Sequence, residues 1–296
     1  MQTLYSLEAQ DNQKTGDAQR ILQKHFDDSG QLLIYLIYFL TELARYAETD
    51  SLRRSSKHLP TEMDKNVNTK LAGNQLLWKI LEQESYQKMV KKSKPELIDH
   101  VDMVRKLYLE LRESEVYEAY ISENSRDKKP EKEILEYIFN DFLLPNEAFE
   151  SHLEELFPNW GDDAEMMQKL VAGYLNKISA FNFEEIVSAD KAAFGRELLS
   201  AVMEKKEITM ELIRPKLKNW DAERIATLDM IFMQMGVCEF LFFETIPPKV
   251  TINEYIDLAK DYSTPLSGQF VNGILDNIHK DLVTENKMHK VNFKAS

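Results

Sequence analysis

Cysteine is almost missing from this chain. Cys238 is the single thiol in 296 residues, so no internal disulfide can form, and a reducing cytoplasm suits it. Glycine and proline are scarce, with nine of each. Few turns can therefore be built, and long helices are favoured. No alternating apolar–polar run bounded by turn residues argues for a sheet. The most apolar run, residues 32–40, has nine residues, far short of the roughly 20 that cross a membrane. No basic stretch followed by an apolar core marks a signal peptide. The six histidines are scattered without a metal-binding spacing, and no phosphate-cradling glycine loop occurs. Cys238 lies among Val237 and Phe240, where a buried inert thiol is expected. The expectation is a protein that is not an enzyme, with no catalytic residue, metal or cofactor.

An excess of positive charge is also lacking. The net charge is −13, which argues against gripping nucleic acid by bulk electrostatics. The charge is uneven, however. Residues 131–189 hold 13 acidic and 3 basic side chains, whereas residues 190–296 hold 16 and 14. The C-terminal part is thus close to neutral, and local basic patches there can meet phosphate. The acidic middle is expected to face solvent or a basic protein rather than RNA. The densest basic cluster, Lys88, Lys91, Lys92 and Lys94, reads as a solvated face.

What is present is helical periodicity. Apolar residues recur at i, i+3 and i+4 over residues 97–120 and 132–144. Residues 1–10 form a short helix and residues 17–47 a long one, bending near Asp28-Ser29-Gly30. Residues 32–40 are apolar on all sides, as in a central core helix. Residues 50–74 read as a polar, exposed connection, 123–130 as a loop, 182–190 as a link, and the tail after about Leu282 as frayed.

An internal repeat adds to this. Leu156-Phe-Pro-Asn159-Trp160-Gly-Asp-Asp163 matches Lys216-Leu-Lys-Asn219-Trp220-Asp-Ala-Glu223 at an offset of 60 residues. Each copy has a helix, a second helix leading to the tryptophan, and a third starting after the acidic residues, at 165 or 223. Asp162, Asp163 and Asp221 suit a helix N-terminus. Residues 97–118 read as a degenerate third copy. Trp220 is expected in the core.

The most specific signal lies near the C-terminus. Ile246-Pro-Pro-Lys-Val-Thr-Ile-Asn-Glu-Tyr-Ile-Asp-Leu-Ala-Lys260 is followed by Gln269-Phe-Val-Asn-Gly-Ile-Leu-Asp276. Proline ends the preceding element, and two amphipathic helices follow. This order of words resembles the NusB family, and Met1-Gln-Thr-Leu-Tyr5 is similar to the family's first-helix motif.

The resemblance implies an all-α, NusB-like bundle carrying an inserted, partly duplicated helical domain. Residues 1–16 would give its first helix, 17–189 the insertion, 190–285 the core and 286–296 a flexible tail. It also implies a cytoplasmic, RNA-binding transcription antitermination factor in ribosomal RNA synthesis. The implied partners are a single-stranded leader element of ribosomal RNA transcripts, the ribosomal protein NusE and the RNA polymerase antitermination complex, with no membrane. The alternatives are a helical scaffold that has lost RNA binding, or an accessory domain of an RNA-modifying enzyme, for which no methyl-donor fingerprint occurs.

RNA or partner contacts are expected from Tyr5, Lys249, Asn253, Glu254, Gln269, Phe270 and Asn272. Lys249 projects from the rigid Pro-Pro turn. Asn253 and Glu254 are placed in the first turn of their helix, where Glu254 favours the dipole. Phe270 reads first as core, with base stacking second. Gly273 is expected to mark a close helix approach. Two departures weaken RNA contact. The sequence from Met1 onward does not include the family's arginine-rich arm, which leaves a truncated chain, a late-assigned start or another mode of RNA binding, and the family's basic positions after Leu228-Asp229 hold Met230 and Gln234.

Overall fold

The computed structural model describes residues 1–8, 15–217 and 225–291. Among them there is no strand, and the chain is all-α. Trp220, Asn219, Asp221 and Glu223 of the second repeat copy, together with Gln10, lie outside the described residues.

The helices in chain order are α1 (Gln2–Glu8), α2 (Thr15–Ser55), α3 (Glu62–Lys65), α4 (Gln75–Glu82), α5 (Glu84–Ser93), α6 (Val101–Leu111), α7 (Glu115–Ser122) and α8 (Lys128–Tyr137). They continue with α9 (Glu147–Leu156), α10 (Trp160–Asn176), α11 (Ala189–Glu204), α12 (Lys206–Ile213), α13 (Thr227–Phe242), α14 (Pro248–Tyr262) and α15 (Ser267–Thr284). Two compact units result: residues 1–25 with 187–296, and residues 26–186. The expected boundaries stood at 16/17 and 189/190. The first unit gains the start of α2 because Ala18 is buried there with Leu4, and Leu22 packs against them.

The core of the first unit is α13. Its residues 231–240 are all buried, because the helix is apolar on nearly every side and α11, α12, α14 and α15 surround it. Gly236 makes the tightest approach. A Cβ there would lie 2.8 Å from Leu275 Cδ2 and 3.3 Å from Tyr255 Cδ2, so α14 and α15 both close on this point. Leu4 of α1 joins the same apolar cluster, which brings the first helix to the C-terminal ones as the family order implies.

The second unit is built on the remainder of α2. Residues 32–37, 39 and 40 are fully buried, or nearly so in the case of Tyr35, as their all-round apolar character anticipates. Around them pack α4, α6, α8, α9 and α10, with Phe39 against Phe149 at 4.7 Å between ring centroids.

Several expectations change on this structure. The long helix runs from Thr15 to Ser55 and stays helical through residues 28–30. Residues 51–69 are mostly exposed, as expected of a connection, but buried acids organise the segment. Asp50 is fully buried and meets Arg53 at 3.3 Å and Arg112 at 3.2 Å. Asp64 accepts from Arg54 and Lys57, each at 2.9 Å, and closes a capping box with Thr61 on α3. These bonds hold the Asp64 carboxyl well below the ordinary carboxylate range.

The helical stretch 97–120 breaks after Leu111, where Ser114 accepts from Tyr117 N–H and starts α7. α8 begins at Lys128, inside the expected loop, and passes into a π-helical turn at Ile138–Leu143. In the first repeat copy the third helix starts at Trp160 rather than at 165, which puts Asp162 and Asp163 within its first turn.

The acidic segment is not uniformly a surface either. Glu131 is fully buried, while Glu147, Glu150, Glu154 and Glu155 are exposed on α9. The lysine cluster falls on and just after α5, where Lys88 is tied to Glu84 at 3.1 Å and Glu184 at 3.4 Å.

Candidate nucleic-acid interface

The C-terminal words fold as α13, a short turn, α14 and α15. Pro247 is the N-cap of α14 and Pro248 its first residue, where the missing N–H costs nothing. Pro247 O accepts from Val250 N at 2.9 Å and Thr251 N at 3.2 Å. Lys249 is therefore the second helical residue and is exposed. Its orientation follows from the opposite face. Thr251, Tyr255 and Ala259 are buried against α13, so positions half a turn away point outward.

The anchor of that buried face is Glu239 of α13. Its carboxylate accepts from Thr251 Oγ1 at 2.7 Å and Tyr255 Oη at 2.6 Å. Burial raises the proton affinity of Glu239, and the two hydroxyls and Lys290 oppose the rise. The sign for stability follows. A carboxyl whose folded pKa is raised binds more protons folded than unfolded, so its contribution is greatest below its unfolded pKa. That contribution is lost as pH rises through the folded pKa. Glu239→Gln removes this titration. Its protection at residues 231–240 relative to the parent is expected to rise as pH moves upward from the ordinary carboxylate range, read by amide hydrogen exchange. A constant gap over that rise in pH would contradict the assignment.

The candidate residues fall into two classes. Lys249 and Asn253 share one outward stripe of α14, continued by Asp257 and Lys260, which pair at 2.9 Å. Glu254 is exposed on the flank of that stripe. Because α14 starts at Pro248, Asn253 and Glu254 lie in its second turn, not the first, and Glu254 is too far along the helix to serve its dipole. Asn253 makes no side-chain hydrogen bond to the described residues. On α15, Gln269 and Asn272 are exposed. Phe270 points the other way. It is 9% exposed and belongs to the core with Val271 and Ile274, so it offers no open face for a base. Tyr5 on α1 is 51% exposed, with its ring open to a ligand.

Gly273 has no heavy atom within 4 Å of a built Cβ, so it marks no close approach. That role belongs to Gly268, where a Cβ would stand 2.9 Å from Lys260 Cγ as α15 crosses α14. Met230 and Gln234, at the family's basic positions, lie on the embedded helix. Gln234 is 3% exposed, with its amide directed at Met210 Sδ at 3.3 Å. A cation at Gln234 would be buried, so no phosphate contact can come from it.

Sequence reading missed two functional-looking acids. Glu239 was indistinguishable from a surface glutamate. Asp229 is 5% exposed and accepts from Ser267 Oγ at 2.8 Å, which ties α13 to the start of α15. Among the described residues no group of three or more His, Cys, Asp or Glu could hold a metal ion, and no helix is long and apolar enough to cross a membrane.

Comparison with known proteins bears directly on this arrangement. The NusB family pattern matches residues 147–280. The transcription antitermination protein NusB of Methylacidiphilum infernorum is 42% identical over 101 residues, 34% of this chain and 70% of that protein. The chain belongs to the NusB family. The NusB of Salinibacter ruber is 40% identical over 97 residues, covering 33% of this chain and 61% of the relative. That of Thermodesulfovibrio yellowstonii is 37% identical over 106 residues, 36% and 70% of the two chains. No solved structure matches. The NusB match begins at the start of α9. It thus includes α9 and α10 of the second unit as well as α11, α12, α13, α14 and most of α15, a longer span than the words at 190–282 alone suggest.

Proposed function

We propose that the chain is an RNA-binding transcription antitermination factor in ribosomal RNA synthesis. In this reading it works in the cytoplasm, as part of the RNA polymerase antitermination complex. It binds a single-stranded leader element together with NusE. The first unit is the NusB-like core, and the second is largely insertion. The observation that carries the reading is the family match through α14 and α15, on which Lys249, Asn253, Gln269 and Asn272 are each exposed. Lys249 supplies a phosphate contact, and the amides of Asn253, Gln269 and Asn272 supply donors and acceptors for unpaired bases. Tyr5 offers a stacking ring, and Glu254 a contact to the protein partner.

The test is a titration of labelled leader RNA with and without NusE at several salt concentrations. Binding is expected to be weak alone and stronger with NusE. Lys249→Ala should weaken the ternary complex and reduce the salt slope by about one, as loss of one phosphate contact requires. Equal, negligible binding with and without NusE would instead favour a scaffold that has lost RNA. The net charge of −13 and the buried Gln234 at a family basic position support that second reading.

A further inference from the structure

The family match stops at residue 280, but the ordered chain continues. A frayed, flexible tail was expected from residue 286. Instead, α15 closes with a built reversal. Asn286 takes a left-handed φ of 51°, a conformation that asparagine tolerates better than most side chains. Asn286 N–H donates to Val283 O at 3.2 Å and Lys287 N–H to Leu282 O at 2.9 Å, the paired bonds that seal a helix C-terminus and turn the chain back. Met288 then packs against the core of the first unit. The Lys290 ammonium donates to Glu239 O and Phe243 O, each at 2.7 Å, and Val291 N–H donates to Glu244 O at 3.0 Å. Glu239 O and Phe243 O lie at the end of α13, where the helix dipole favours a cation; each also accepts a backbone N–H, from Phe243 and Ile246, so Lys290 adds a second donor to both. The side chain of the same Glu239 is buried and bonded to Thr251 and Tyr255 of α14, and the Lys290 charge favours its ionised form. The next residues along the chain from Glu244 lead into Pro247-Pro248-Lys249.

We propose that residues 285–291 are a latch on the α13–α14 turn, with Lys290 as its positioning residue. One cation holds two terminal carbonyls of α13 and favours the ionised form of the carboxylate that grips α14. It thereby fixes the turn from which Lys249 projects. The consequence for binding rests on the RNA reading above, but the latch itself does not.

The experiment is amide hydrogen exchange on the full chain. It compares residues 244–251 with the core of α15 at residues 274–278. Lys290→Met should speed exchange at 244–251 by about tenfold and leave 274–278 unchanged, since local opening is a separate event from global unfolding. Lys290→Arg, which keeps charge and donors, should restore most of the protection. Asn286→Val, which strains the reversal without touching Lys290, should reproduce the Lys290→Met pattern. Unchanged exchange at 244–251, or an equal rise at 274–278 in both variants, would overturn the latch. RNA binding measured on Lys290→Met and Lys249→Ala separates the two claims. If neither variant alters binding while exchange at 244–251 rises, the RNA reading fails and the latch stands.

Discussion

Phe232→Ala should destabilise the first unit by about 3–5 kcal/mol, the usual cost of emptying a large aromatic site in a core. Phe232 is fully buried in the middle of α13, with the Tyr255 ring 6.5 Å away, centroid to centroid. Two of the helices packed on α13 are themselves pinned. α14 is held by the Glu239 bonds, and α15 by the approach at Gly236 and by Ser267 on Asp229. Relaxation is therefore limited and the cavity term stays near its full value. Because the chain forms two compact units, a single melting curve is a poor measure. The quantity to follow is exchange at 231–240 against exchange at 32–40. Selective loss of protection at 231–240 is the expected result. A loss below about 1 kcal/mol would mean that the site repacks.

A further loss is expected in the second unit from Glu131→Ala, about 2–4 kcal/mol, by a different mechanism. Glu131 is fully buried, yet each of its oxygens is used. One carboxylate oxygen accepts from Gln75 N–H at 2.6 Å. The other accepts from Tyr120 Oη at 2.9 Å and faces Arg126 Nη1 at 3.4 Å. Its backbone carbonyl accepts from Asn74 Nδ2 at 2.7 Å, and Asn74 in turn caps α4 through Leu76 and Leu77 N–H. Truncation leaves a buried N–H and a hydroxyl without an acceptor, and removes the partner of a cation. Glu131→Gln retains an acceptor for one of them and should cost roughly half as much. Denaturant unfolding followed by exchange at residues 75–82 measures both. Equal and small effects from Ala and Gln would show that the carboxylate is dispensable.

These two sites differ in how readily a sequence reveals them. Residues 32–40 were read as apolar on all sides and are buried so; α13 has the same character, but only Cys238 was expected to be buried there. Glu131, Asp50, Asp64 and Glu239 were not legible, because an acidic side chain in an amphipathic helix reads as surface. Only the third dimension brings Gln75 N–H, Arg112, Lys57 or Tyr255 to it. The connection at 50–74 is largely exposed, but its two buried acids were missed for that reason. At residues 286–291 the expectation of a frayed tail misses for another reason. Its polarity suggested fraying, but one left-handed asparagine and one lysine reaching the end of α13 suffice to dock it.

The candidate interface was legible as a set of words and blurred as a surface. Lys249, Asn253, Gln269 and Asn272 came out exposed, as contacts must be. Phe270 turned inward, as its first reading as core had it, because the apolar stripe of α15 contains it. Asn253 and Glu254 moved from first turn to second once Pro248 fixed where α14 begins. Met230 and Gln234 illustrate the converse. Their lack of charge reads as a lost RNA contact in the sequence and as a requirement of burial in the fold, at least for Gln234.

The measurement that bears most directly on function is a hydrogen-exchange footprint of the full chain with leader RNA and NusE bound. Protection is expected along residues 1–8 and over the exposed stripe of 249–260 and 269–272. The exposed acidic helix α9 should exchange as in the free protein. Protection confined to residues 26–186, with 249–272 unaffected, would contradict the placement of the RNA and partner surface on the first unit.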